Sequence, residues 1–189
     1  MVETITPVVH GGRRGRYLGS IVLHTLGATA AAAAFGALLG GLGALLGAPW
    51  GQAGTIAVLT AGTLYLLREA FRLPIPIPDR HRQVPQWWRT FYSPPVASLL
   101  YGLGLGVGFL TFLTFGTFVA VAVGALASGS VGAGTLICAP FGLARGLSVL
   151  VGAAGDGVSS LDDLAGTPWP RLVNASALGA VVLAASFAL

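Results

Sequence analysis

Charge is what this sequence has least of. Asp, Glu, Lys and Arg make up 8% of its 189 residues, against roughly 25% in an ordinary soluble domain. Apolar residues reach 54%, and mean hydropathy is +0.82. A chain so short of charge cannot present a wettable surface, which argues against a soluble globular domain. Lysine is missing altogether: the ten basic residues are all arginine. With Ala and Gly so abundant, that absence reads as base composition of the genome and not as mechanism. The formal net charge of +4 does not point to nucleic acid, because the arginines flank apolar segments and form no soluble basic face. A single cysteine, Cys138, excludes an internal disulfide and any metal site built from several cysteines. Paired carboxylates within an apolar segment, a histidine cluster, a phosphate loop and a nucleophile with a visible base are all lacking. No cofactor or metal is expected, and an enzyme is the less favoured reading.

What is present is long apolar stretches. A bilayer's hydrocarbon core of about 30 Å takes about 20 apolar residues of helix to cross. The central stretch from Pro94 to Gly152 is two such segments joined by the tip Ser128-Gly129-Ser130. Taken in order, the sequence predicts spans at about 17–46, 52–68, 95–127, 131–152 and 171–189, and a polar loop at 69–94 rich in Arg, Pro and Trp. The expected fold is an all-α polytopic membrane helix bundle forming one integral domain. The apolar stretch after Tyr17 is about twice the length of a cleavable signal core, so residues 1–16 read as a cytoplasmic flank.

Arginine placement orients these spans. Arg13, Arg14 and Arg16 precede the first, and Arg68, Arg72, Arg80, Arg82 and Arg89 lie at or beyond the end of the second. Arg145 and Arg171 approach the connection between the fourth and fifth. The tips 48–51 and 128–130 carry no arginine. Cytoplasmic loops carry the excess of Lys and Arg, so the N-terminus is expected inside and the C-terminus outside, in the plasma membrane of a prokaryote.

Within the loop, Arg80, His81, Arg82 and Arg89 suit anionic headgroups, and Trp87, Trp88, Phe91 and Tyr92 suit the interfacial belt; docking of a soluble partner is the alternative. Its spaced prolines predict an extended, polyproline-like path. Glu69 and Arg72, three apart, are placed to pair. Farther on, Ser160 and Asp163 have capping-box spacing. Asp156, Asp162 and Asp163 match no known ligand spacing and read as solvated acids. Gly36, Gly40, Gly43 and Gly47 fall on one face of the first span, where small residues mark packing seams. The expected partners are the lipid bilayer and, through such faces, a homo-oligomer or another membrane protein.

The candidate site residues are few. His24, about two turns into the first span, is either a functional group or a side chain partly hydrated or bonded to a neighbouring helix. Arg145 is the charge within a span; it either snorkels to the surface or faces the bundle to meet an anion or an acid. Gly142 and Gly146 flank it and favour the second. Pro140 removes a helix hydrogen bond and predicts a kink just after Cys138. Thr111, Thr114 and Thr117 place hydroxyls along the third span, for helix contacts or a solute path.

The GGRRGR before the first span, FLTF within a Gly-rich third span, ASGS, and FGLARGL together resemble the cytochrome c biogenesis membrane family, the CcdA group related to the transmembrane domain of DsbD. That resemblance implies two inverted halves of three helices and transfer of reducing equivalents through a pair of cysteines beside prolines. The third span here has no cysteine, Cys138 falls outside the family's redox positions, and the first family helix is not matched. The fold of that family is therefore expected without its redox chemistry. The leading functional expectation is a transporter-like inner-membrane protein handling a small solute. The alternatives are a non-catalytic membrane subunit and electron transfer with sulfurs supplied by a partner.

Overall fold

The computed structural model describes residues 14–77, 87–108, 116–153 and 169–186. These residues are helical throughout apart from turns and short connections, with no strand among them. The helices are α1 Arg14–Leu45, α2 Gln52–Phe71, α3 Trp88–Phe91, α4 Pro94–Gly106, α5 Thr117–Ala127, α6 Val131–Ala153 and α7 Trp169–Ser186. The all-α expectation holds. Two helices, over Gly15–Leu45 and Val131–Leu150, are long and apolar enough to cross a membrane by length and composition.

The third predicted span is not one helix. The helix that opens it stops at Gly106, Val107 is extended (φ −82°, ψ 92°), and α5 begins only at Thr117. Gly102, Gly104, Gly106 and Gly108 explain the weakness, since each glycine costs a helix about 0.5–1 kcal/mol relative to Ala. Thr111 and Thr114 lie outside the described residues. So do Arg80, His81 and Arg82, and the loop carrying Asp156, Ser160, Asp162 and Asp163. The fourth span runs through Pro140 as a continuous helix.

The chain divides into two compact units. The first comprises Met1–Ala32, Arg80–Phe112 and Pro140–Thr167; the second comprises Ala33–Asp79, Leu113–Ala139 and Pro168–Leu189.

In the first unit α1 is flanked by α4 and α6. A Cβ added to Gly102 would lie 2.9 Å from the His24 carbonyl carbon, and one on Gly106 would lie 2.8 Å from Ala31 Cβ. These pairs advance together along both chains, so α1 and α4 run parallel. Toward α6 the order reverses: Ile21 packs with Val149, Thr25 abuts Gly146, and Ala28 abuts Gly142. Those two helices are antiparallel. Trp88 seats against Ala97 and Tyr101.

In the second unit the glycine face of α1 is occupied from within the chain. A Cβ on Gly36 would fall 2.6 Å from Cys138 Cβ, and one on Gly40 would fall 2.7 Å from the Ser130 carbonyl carbon. Gly129, at φ +58°, lies in the left-handed region; a side chain there would also run 2.8 Å from Pro49 N. The tip of the central hairpin thus closes on the turn after α1. Helix α2 packs on α5 and α7. Gly62 faces Val182 and Tyr65 packs with Leu178 and Ala120, which makes α2 antiparallel to α7.

Candidate functional site

On α1, Tyr17, Ser20 and His24 recur at i, i+3 and i+7, the spacing of one helix face. Ser20 and His24 are each 1% exposed. His24 Nδ1 lies 3.3 Å from the carbonyl oxygen of Ser98 on α4. A carbonyl only accepts, so Nδ1 carries the proton and donates, and in a neutral ring Nε2 presents its lone pair. That Nε2, and Thr25 Oγ1, find no hydrogen-bond partner among the described residues. A buried polar atom left unpaired costs about 1–3 kcal/mol. His24 therefore stands as a buried acceptor, able to take a hydrogen bond or a proton. Among the described residues no three of His, Cys, Asp and Glu gather. His24 is sealed from the surface and bonds a neighbouring helix.

Arg145 lies in the same unit, half-buried. Its guanidinium carbon sits 5.7 Å from the centroid of the Phe141 ring, within range of a cation–π contact. Gly142 and Gly146 bring α6 against α1 on either side of it: Cβ atoms there would come within 2.5 Å of Ala28 O and 2.7 Å of Thr25 Cα. The close helix approach expected beside this charge is present. Ser148 Oγ donates to the Arg145 carbonyl at 2.6 Å.

Cys138 belongs to the second unit, 2% exposed against Gly36. Pro140, two residues on, is exposed on α6. Thr117 donates to Asn174 Oδ1 on α7, so the one described member of the threonine stripe closes a helix contact. Asn174 Nδ2 is left without a partner among the described residues.

Sequence reasoning missed three polar anchors and mispaired a fourth. Ser20 and Ser98 are nearly sealed, at 1% and 2% exposure; the signal for Ser20 was its place one turn before His24. Asn174 is the only asparagine in the chain, a polar residue inside an apolar helix. Glu69 is buried at 7% exposure, and its partner is not Arg72. Arg68 Nη1 holds Glu69 Oε1 at 2.5 Å, while Arg68 Nε donates to Ile75 O at 2.8 Å. Arg72 instead adopts the left-handed conformation that caps α2. Tyr65 OH donates to Pro76 O at 3.1 Å. The start of the proline segment, through Pro76, is therefore held against the end of α2.

With this geometry in place, three relatives are informative. The chain is 33% identical over 137 residues to the methylamine utilization protein MauF of Methylorubrum extorquens, covering 72% of this chain and 48% of that one. It is 34% identical over 137 residues to MauF of Methylophilus methylotrophus, again covering 72% and 48%. It is 32% identical over 140 residues to MauF of Paracoccus denitrificans, covering 72% and 50%. The chain thus spans about half the length of the curated relatives it matches. No protein-family model matches, and no solved structure matches.

These findings correct the sequence reading. The relatives are MauF proteins and not members of the cytochrome c biogenesis membrane family. FLTF, ASGS and FGLARGL are built of residues common in any apolar helix, which is why they misled. The transporter-like expectation falls with it, since the relatives are named for methylamine utilization.

Proposed function

We propose that this chain is a multi-pass membrane protein that supports methylamine utilization. The observation that carries the reading is the similarity to MauF proteins of three organisms across 72% of the chain. Immersion in the bilayer is supported by the outward faces of the helices. Leu18, Val22, Leu26, Leu38, Leu42 and Leu45 of α1 are exposed, as are Ile56, Leu64 and Leu67 of α2 and Leu172, Val173 and Leu183 of α7. Exposed apolar surface on this scale needs a partner, and lipid provides one along a whole helix face.

Helix direction supports five crossings. Successive spans must alternate, so the first, third and fifth run one way and the second and fourth the other. Each packed pair obeys this: α1 is parallel to α4 and antiparallel to α6, and α2 is antiparallel to α7. Together with the ten arginines, this favours an inside N-terminus and an outside C-terminus in the plasma membrane.

Deleting the gene in its host tests the function. Growth on methylamine as sole nitrogen source should be lost, while growth on ammonium continues, and a plasmid copy should restore it. Undiminished growth on methylamine would end this reading.

A further inference from the structure

We propose that Trp87, Phe91 and Tyr92 form a rigid aromatic surface that docks into an anionic lipid headgroup layer, with Trp88 as its brace. The proposal rests on the membrane reading above. The short helix α3 divides its aromatics in two. Trp88 turns inward: its ring lies 5.7 Å from that of Tyr101, and it packs on Ala97 and Tyr101, which are 2% and 4% exposed. Trp87, Phe91 and Tyr92 turn outward, at 52%, 78% and 43% exposure.

The outward rings hold one another. Trp87 meets Phe91 edge-on at 5.7 Å, Trp88 edge-on at 6.2 Å, and Tyr92 at 6.4 Å. Edge-on and offset ring pairs of this kind attract beyond the area they bury. Thr90 Oγ1 donates to Trp87 O at 3.0 Å. Extended backbone at Tyr92 and Ser93, followed by Pro94 and Pro95 in the first turn of α4, fixes the angle at which α3 leaves that helix. Little side-chain entropy is left to lose on docking.

Two features select the partner. Tyr and Trp rings with one polar edge suit the headgroup level, where one end is apolar and the other wet. The charge nearby is mostly positive: Arg80, Arg82 and Arg89 lie in the adjoining sequence against Asp79, and from Arg80 to Gly155 there is no acidic residue. Basic segments beside a span are drawn to anionic lipid. The surface also stands at the start of α4, where the uncharged stretch begins, which is where a bilayer boundary belongs.

The test uses the full chain in vesicles of phosphatidylcholine and phosphatidylglycerol, with Trp50→Phe and Trp169→Phe leaving Trp87 and its brace Trp88 as the reporters, and a version with Trp87→Phe added giving the Trp88 signal to subtract. A third protein carries all three changes plus Leu26→Trp, which, after the same subtraction, puts the reporter on the exposed face of α1. Lipids brominated near the ester end should quench Trp87 more than lipids brominated near the terminal methyl, and aqueous iodide should quench it least. Removing phosphatidylglycerol should weaken the shallow quenching. Iodide quenching without lipid quenching would overturn the proposal, as would protection from both, which would mean a protein covers the rings. Loss of lipid quenching at Leu26→Trp as well would instead bring down the membrane reading itself.

Discussion

Gly142 and Gly179 both sit in apolar helices, yet a side chain on the first has nowhere to go. A Cβ at Gly142 would stand 2.5 Å from Ala28 O and from Ala32 Cβ, whereas one at Gly179 would meet nothing within 4 Å. Overpacking a tight contact costs about 1–3 kcal/mol, and a backbone carbonyl yields less than a side chain. Gly142→Leu should lower the melting temperature in detergent and reduce the folded peak in size exclusion; Gly179→Leu should match the parent. Equal behaviour would mean the α1–α6 contact is looser than the geometry implies. Cys138 admits a similar comparison. Serine there can bond the carbonyl one turn back, so Cys138→Ser should stay within about 1 kcal/mol of the parent and keep methylamine growth. Cys138→Leu, pressed against Gly36, should cost about 1–3 kcal/mol. Growth lost in a well-folded Cys138→Ser protein would restore a redox role for the thiol.

At the scale of elements, the end of α2 shows polar side chains holding a chain segment in place. Arg68 spans Glu69 and Ile75 O, Tyr65 holds Pro76 O, and Ile75 and Ile77 pack beside Tyr65. Arg68→Ala would strip the buried Glu69 of this ion pair and the Ile75 carbonyl of its donor. Unsatisfied buried groups cost about 1–3 kcal/mol, and the segment after α2 should loosen. Limited chymotrypsin digestion should then cut near Phe71 and Leu73 faster than in the parent, while the global melt moves less. Cleavage at the parental rate would show that Tyr65 and the isoleucines suffice. The end of α4 is the other lesson at this scale: an uncharged run long enough for one helix leaves helical geometry at Val107, amid its own glycines.

For the whole molecule, the sharpest expectation is sidedness. In the proposed five-crossing arrangement every arginine would fall on one side, and segments with more basic charge stay inside. An enzyme reporter active only outside the cytoplasm should be silent when fused at Gln83 and active at Gly129 and after Leu189. Activity at Gln83 would invert the arrangement, and silence at Gly129 would remove the crossing between them.

Helical class, helix ends near residues 45, 52, 131 and 153, and the arginine asymmetry were all legible in the chain, because they depend on local composition and on period. Small residues at i and i+4 also announced that α1 would be a packing helix. What they could not announce was the partner. The same glycine stripe serves an oligomer or an internal neighbour equally well, and only the folded chain sets Gly36 against Cys138 and Gly142 against Ala28. The polar contacts were hidden for the same reason. Ser98 is 74 positions from His24 and Asn174 is 57 from Thr117, separations at which periodicity is silent. Which of two arginines takes Glu69 depended on the backbone of Arg72, whose left-handed turn caps the helix and leaves Arg68 alone to reach back. Local patterns decide which segments are helices; only the approach of distant backbones decides which side chains are sealed, bonded or left with an unpaired atom.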